Sequence, residues 1–361
     1  MSDDAQSTPY EQMRTYLREI GQGPRAGRDL NREEAASAIG LILDGEATSA
    51  QAGGFLLLQR YKGESVDELL GFVDAYRARA NLIRPAVEGL LDIGSPYDGR
   101  KKSIVVSSAS AIVVAAAGAP VVLHGEKDMG PKHGVPVGDV LEALGIDVDG
   151  EPAAVQSAIE SHGLGYMRQE RFVPAVYAAR ELREEVALRT LFATVEKIAN
   201  IAAARYSIIG IAHLPYKDKM LDAAGANSFE RVLVVQGIEG NEDIPTSRPC
   251  RAYLREGQPN GSSGKTTELT IDASQYGLEA ASKEEMEGGD ARHNAEIAES
   301  IFAGQKGAYR DLIALNAAVR LWLAERAPDI AAGLDLARQT IDSGAAAEKL
   351  EALRAVAGRA A

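Results

Sequence analysis

Between Leu91 and Gly145 a short apolar strand, LLDIG, runs straight into the turn Gly94-Ser95-Pro96-Tyr97-Asp98-Gly99. A basic run, Arg100, Lys101 and Lys102, follows, then a helix of small residues, SSASAIVVAAAG, then a second buried strand ending VVLHG. In such strand-turn-helix units the turn's N–H groups and the positive end of the helix converge on one spot, which suits a phosphate or pyrophosphate. Pro96 supplies no N–H and Tyr97 brings bulk where glycine would allow close approach. The sequence therefore describes an altered anion site.

The unit belongs to a longer alternation. After about Leu82, the β-rich runs LLDIG, PVVLH, GLGYM, YSIIGIA and RVLVVQG alternate with helical patterns, which predicts βαβ crossovers and a largely parallel sheet. Three amphipathic helices precede it within a helical lobe over roughly 9–80. Asn31 with Glu34 and Ser65 with Glu68 are spaced as capping boxes, and Thr48 or Ser49 begins the helix that Gly63 ends. Two helical stretches, roughly Pro174–Ala187 and Thr190–Ala204, lie between GLGYM and YSIIGIA with no strand separating them. EGQPNGSSGK, from Glu256 to Lys265, reads as a flexible hairpin or loop tip. The chain is helical again from about Asn294, with RDLIALNAAVRLWLA spaced as a well-buried helix.

A chain of 361 residues is comfortable for two lobes, and its net charge of −13 argues against non-specific binding to a nucleic-acid backbone. Cys250 is the only cysteine, which excludes an intramolecular disulfide or a cysteine-based zinc site and reads as a packed thiol. MSDDAQSTPY has no apolar signal core, and the small-apolar run Ala109–Leu123 is too short for a bilayer and is cut by Gly118 and Pro120. A cytoplasmic protein without a membrane partner is expected.

A second segment carries chemistry. VVQGIEGNEDIP, Val234 to Pro245, ends a buried strand in a loop bearing Glu239, Glu242 and Asp243. Acids at the carboxyl end of a strand stand where open α/β sheets bind ligands, and magnesium needs one or two of them; the alternative is a solvated acidic loop. Lys101, Lys102, Lys132 and His133 read either as phosphate contacts or as a solvated charge run. The five histidines show no zinc spacing.

These segments resemble the donor-binding region of the anthranilate phosphoribosyltransferases and their relatives, glycosyltransferase family 3. There a GTGGDG turn and an N-x-S-T helix start hold phosphoribosyl pyrophosphate. Here the turn reads GSPYDG, Ser107 and Ser108 fall at the Ser-Thr pair, and Val105 takes the place of the asparagine. The family's K-H-G-N reads Leu123, His124, Gly125, Glu126, and its Ser/Gly-rich donor loop becomes the slightly longer KDMGPKHGVPVG, starting at Lys127, before the close match DVLEALG. VVQGIEGNEDIP resembles V-x-G-x-D-G-x-D-E-I, which supplies magnesium ligands; Glu242 and Asp243 occupy its D-E pair in reversed order. LREEVALRTLFATVEKIANI resembles R-x-x-L-G-x-R-T-x-F-N-x-L-G-P-L-x-N-P, whose first arginine helps hold the anthranilate carboxylate. Arg183 falls there and Arg189 precedes the retained Thr190, while Ala193 replaces the asparagine and Glu196-Lys197 replaces Gly-Pro. The likeness runs from LNREEA near Asn31 to RDLIALNAA ending at Ala318.

The resemblance implies an α/β fold with a small helical lobe and a larger α/β lobe around a mainly parallel central sheet, of the nucleoside phosphorylase and phosphoribosyltransferase-like class. The helical domain would comprise 1–82, joined in space by helices at about 172–204, and the α/β domain 83–171 and 205–361. It implies Mg2+-dependent pentosyl transfer from phosphoribosyl pyrophosphate to an aromatic or nitrogenous acceptor that need not be anthranilate. By the resemblance the donor falls to Gly94, Ser95, Asp98, Gly99, Lys101, Lys102, Ser107, Ser108, His124 and Lys127, the acceptor to Glu126 and Arg183, and the metal to Glu242 and Asp243. No residue is assigned as catalytic; His124 is read as structural and His213 as packing. Glu126 puts a carboxylate where the family has an amide, which repels an acidic acceptor unless protonated or paired. A homodimer through the helical lobe is implied. Two further readings are a nucleoside phosphorylase, whose single phosphate fits the rewritten turn, and a divergent branch that binds nucleic acid through a basic groove across a dimer.

Overall fold

Polar caps open the amino-terminal helices where their spacing predicts. In the computed structural model, which describes residues 8–23, 26–257 and 264–360, helix α1 (Pro9–Gly21) precedes the three expected ones, α2 (Arg32–Leu43), α3 (Ser49–Lys62) and α4 (Val66–Arg77). Asn31 with Glu34, Thr48 with Gln51, and Ser65 with Glu68 all form complete capping boxes, each side-chain cap contributing about 1 kcal/mol. Glu68 does more. Fully buried, it accepts from Leu30 N at 3.0 Å, Gln59 Nε2 at 2.9 Å and Ser65 N at 2.8 Å, and pairs with Lys62 Nζ at 2.7 Å.

The five expected strands are present as β1 (Leu91–Gly94), β2 (Val121–Gly125), β3 (Leu164–Arg168), β4 (Tyr206–Gly210) and β5 (Arg231–Val235), all parallel in the order β3-β2-β1-β4-β5. Antiparallel β6 (Cys250–Gly257) and β7 (Gly264–Ile271) extend the sheet beyond β5. The segment EGQPNGSSGK, expected as a hairpin or loop tip, covers the ends of this pair, and its central residues 258–263 lie outside the described residues. Helices α5 (Val106–Ala116), α6 (Val137–Ala143) and α7 (Pro152–His162) fill the first crossovers.

Between β3 and β4 the chain is more broken than its helical pattern suggests, forming α8 (Gln169–Phe172), α9 (Pro174–Ala178), α10 (Arg180–Val186) and α11 (Phe192–Ile198). Helix α11 stops short of Ala204 because Asn200 adopts φ 47° and its side chain takes the Ala204 N–H at 2.7 Å, an asparagine supplying locally the partner a helix would otherwise provide. Helix α12 (Lys217–Ala226) precedes β5, and α13 (Ala291–Phe302), α14 (Ala308–Leu323), α15 (Ile330–Asp342) and α16 (Ala345–Ala360) complete the chain.

Successive strand residues point to opposite faces, and here they feed different cores. Val121 and Leu123 of β2, with Leu233 and Val235 of β5, pack with α5 and α14. Val122, Val232 and Val234 pack on the other side with residues of α1–α4 and of α11–α12, so the helical bundle and that sheet face share one apolar cluster. Cys250 lies in the first cluster, fully buried, its thiol pushed up by burial to about 11.

Candidate active site between the lobes

β1 delivers the chain into the turn at Gly94. Gly99 sits at φ +68°, and a Cβ there would stand 2.5 Å from the Gly134 carbonyl carbon, so only glycine lets the loop after β2 lie across the turn. That loop is stitched down. Arg100 N donates to Val135 O at 3.0 Å, Val135 N to Arg100 O at 2.8 Å, and Gly134 N to Asp98 O at 2.9 Å. Gly99 N donates to Pro96 O at 3.1 Å. Ser95 N donates to Ile93 O at 2.8 Å, so two of the turn's N–H groups, those of Ser95 and Gly99, are engaged within the chain. Tyr97, expected to crowd a ligand, turns inward: its hydroxyl lies 3.0 Å from His124 Nδ1, and His124 Nε2 lies 2.9 Å from Asp92 Oδ1. Burial holds the Tyr97 hydroxyl well above its ordinary pKa. His124 is buried in this network.

Behind the turn the two acids expected to hold metal meet two arginines. Arg100 Nη2 donates to Glu242 Oε1 and to Asp243 Oδ2, both at 2.6 Å, and to Ser107 Oγ at 3.2 Å. Ser95 Oγ donates to Glu242 Oε1 at 2.5 Å, and from α14 Arg320 Nη2 donates to Asp243 Oδ1 at 2.8 Å. Both acids and both arginines are buried. Burial pushes the Glu242 carboxyl up, but Arg100, Arg320 and the Ser95 hydroxyl outweigh it and hold it at about 2; burial and the Glu242 charge raise Asp243. The loop reaches this position because Gly210, at the end of β4, has no side chain: a Cβ there would lie 1.9 Å from the Asn241 carbonyl carbon. Ser108 Oγ of α5 donates to the O of Val105, the residue before that helix, at 2.7 Å.

On the acceptor side Arg183 of α10 meets a carboxylate of its own chain, Arg183 Nη1 and Nη2 lying 2.5 and 3.2 Å from Glu196 Oε1 and Oε2 of α11. Gln169 Nε2 also donates to Glu196, at 2.8 Å. The cavity beside them, lined by Tyr97, Arg183 and Glu196, is about 40 Å³, room for one to a few waters and no aromatic ring. Glu126 accepts from Arg168 Nε at 2.7 Å and from the N–H groups of Lys127 and Glu170, both at 2.8 Å. Its charge is therefore paired. Lys127 Nζ turns to Glu142 at 2.8 Å rather than to the turn.

The open space lies between the bundle and the sheet, a cleft of about 890 Å³. Loops following β1, β2, β4 and β5 form one wall, which is the ligand-binding edge of an open parallel sheet; α3 and the α10–α11 segment form the other. Lys101, Lys102, Lys132, Arg189 and Lys197 line it with Asp98 and Glu239. Arg189 grips Asp98 through two bonds of 2.7 and 2.8 Å. Glu239 accepts from Lys102 N and Ser103 Oγ at 3.0 Å each and pairs with Lys132 at 2.9 Å; burial works to raise its carboxyl, yet these partners hold it below the usual range. Lys197 Nζ reaches Gly210 O at 3.3 Å, and burial lowers its amine. His213, read as packing, is exposed in the cleft.

Asp98, Lys101 and Lys102 therefore share the cleft, with Gly94, Ser95, Gly99, Ser107, Ser108, Glu242 and Asp243 packed behind or beside it. Glu126 and Lys127 line neither the cleft nor the small cavity. Sequence reasoning missed Lys197, Arg320 and the position of Arg100. An arginine inside the apolar helix run LNAAVRLWLA was the available signal for Arg320, and the change from the family's Gly-Pro was the signal for Lys197.

Residues 91–347 match the a/b domain of the glycosyl transferase family, and residues 14–80 match its helical bundle domain. The chain is 36% identical over 334 residues to the anthranilate phosphoribosyltransferase of Thermomicrobium roseum, covering 91% of this chain and 93% of that one. It is 35% identical over 333 residues to that of Rhizobium meliloti, covering 92% and 95%. The structure of the Thermus thermophilus enzyme aligns with a TM-score of 0.81 at 28% identity over 96% of this chain and 99% of that one. A yeast anthranilate phosphoribosyltransferase in complex with PRPP and Mg shares the fold, with a TM-score of 0.82 at 17% identity over 97% and 98% of the two chains. With both domains in place and the cleft between them, the chain belongs to the glycosyl transferase family that contains the anthranilate phosphoribosyltransferases.

Proposed function

We propose that the cleft binds phosphoribosyl pyrophosphate and transfers its pentosyl group to an aromatic or nitrogenous acceptor that carries no carboxylate. The observation that carries this reading is Arg183, the arginine whose counterpart serves the acceptor acid in the resembling family, already closed by Glu196. A bidentate arginine site that holds an internal carboxylate has little left for an external one. The donor half rests on the cations that line the cleft, Lys101, Lys102 and Lys132 from the sheet edge and Arg189 and Lys197 from the facing wall.

In the proposed step the acceptor nitrogen forms a bond to the anomeric carbon as the carbon–oxygen bond to pyrophosphate breaks. The bonding pair leaves with pyrophosphate and the nitrogen's proton passes to solvent. The chain's part is positioning and neutralising the growing negative charge. Magnesium enters this reading with the donor, the yeast relative being in complex with PRPP and Mg. The buried acids as arranged do not fit it: three of their four oxygens accept from arginine or serine and only Glu242 Oε2 lacks a partner among the described residues.

Calorimetric titration with phosphoribosyl pyrophosphate in magnesium buffer, followed by a pyrophosphate-release assay across acceptors, tests the proposal. Donor binding with turnover of uncharged aromatic amines or bases and not of anthranilate is expected. No donor binding, or turnover confined to carboxylate-bearing acceptors, refutes it.

A further inference from the structure

We infer that Arg100 is a built-in cation that takes the place of a divalent ion between Glu242 and Asp243, so that this acid pair does not take up metal. The inference rests on the donor-binding reading only for its place beside the cleft.

One atom carries the geometry. Arg100 Nη2 stands 2.6 Å from an oxygen of each acid and 3.2 Å from the Ser107 hydroxyl at the start of α5, an all-oxygen surrounding of the kind a hard cation occupies. These are hydrogen-bond lengths. Magnesium draws its oxygens in to about 2.0–2.1 Å, and it would have to displace the guanidinium to do so. Displacement is opposed twice over. The backbone of Arg100 is fixed by both hydrogen bonds to Val135, and its side chain is fully buried.

Charge gives the same answer. Glu242 and Asp243 bring two negative charges, Arg100 and Arg320 two positive ones, all buried. The cluster is balanced without a metal, and a dication added to it would face two fixed guanidinium groups.

Manganese titration followed by electron paramagnetic resonance, without donor, tests the inference on the wild-type chain, Glu242→Gln, Arg100→Ala and the double variant. Removing the guanidinium is expected to create a manganese site that the wild type lacks, and adding Glu242→Gln to remove it again. Manganese uptake by the wild type that Glu242→Gln abolishes overturns the inference, as does a folded Arg100→Ala that gains no ion. Should Arg100→Ala fail to fold, the wild type against Glu242→Gln still decides. A parallel titration with phosphoribosyl pyrophosphate separates the two readings: absence of donor binding in any buffer refutes the proposed function alone, whereas magnesium-dependent donor binding that survives in Glu242→Gln supports both.

Discussion

A buried arginine facing a buried carboxylate fixes what else can enter. Glu196 occupies the fork of Arg183, with Gln169 steadying the same oxygen, and truncating one member of such a pair leaves the other charged and unpaired. Glu196→Ala should therefore destabilise the chain by about 3–5 kcal/mol and also let Arg183 accept an aromatic carboxylate. Anthranilate affinity measured by calorimetry is expected to rise about tenfold, the worth of one charge-assisted hydrogen bond, and to restore part of the lost thermal stability. Equal affinity in variant and wild type would show that Glu196 does not guard the arginine. The sequence places Arg183, Glu196, Glu242 and Asp243 by motif, yet none of their partners follows from spacing. Which acid meets Arg183 depends on how α10 packs on α11, and Arg320 reaches Asp243 from a helix far along the chain. Motif position is local information; charge pairing is tertiary.

At the scale of elements the same division holds. Capping boxes and parallel strands were legible because each is written in a few adjacent residues. Of the pair β6 and β7 only the connection was legible, EGQPNGSSGK reading as a hairpin or loop tip, since β7 is an exposed edge whose Lys265, Thr266, Thr267 and Glu268 give it the polarity of a loop. Glu68 joins the segment before α2, the end of α3 and the cap of α4. Glu68→Ala should lower the unfolding free energy by about 3–5 kcal/mol, as loss of one partner of a buried ion pair does; urea denaturation that shows less than about 1 kcal/mol would deny it this role. The loop after β2 meets α10 through Gly130 N, which donates to Glu184 at 2.7 Å, and through His133, whose ring nitrogens lie 3.1 Å from Asp128 and from Glu184. The Asp128 contact raises the His133 pKa above its ordinary 6.5; desolvation opposes the rise and the Glu184 contact adds to it. A raised folded pKa means that this tie is complete below pH 6.5 and is lost as pH climbs through the folded value. Imidazole NMR should show His133 titrating above 6.5, with Glu184→Gln bringing it down; a midpoint at or below 6.5 in the wild type contradicts the tie.

For the whole molecule the exposed apolar side chains are informative. Leu57 and Tyr61, one turn apart on α3, and Tyr10 on α1 lie open, Tyr61 with 85% of its surface exposed, and Gln51 of α3 donates to the Tyr10 carbonyl of α1 at 3.0 Å. We propose this face as the dimer contact. Light scattering should give twice the chain mass and Tyr61→Glu should halve it; a wild-type monomer at micromolar concentration would dispose of the idea. No helix among the described residues is long and apolar enough to cross a membrane.

The apolar cluster that the bundle shares with one face of the sheet ties the two walls of the cleft together. Jaws joined by a common interior cannot swing apart without exposing that interior to water, so the width of the gap is built in at folding. The strap between β2 and α6, held over the turn by three backbone hydrogen bonds and to α10 by Glu184, is then fastened to both walls of a gap of fixed width.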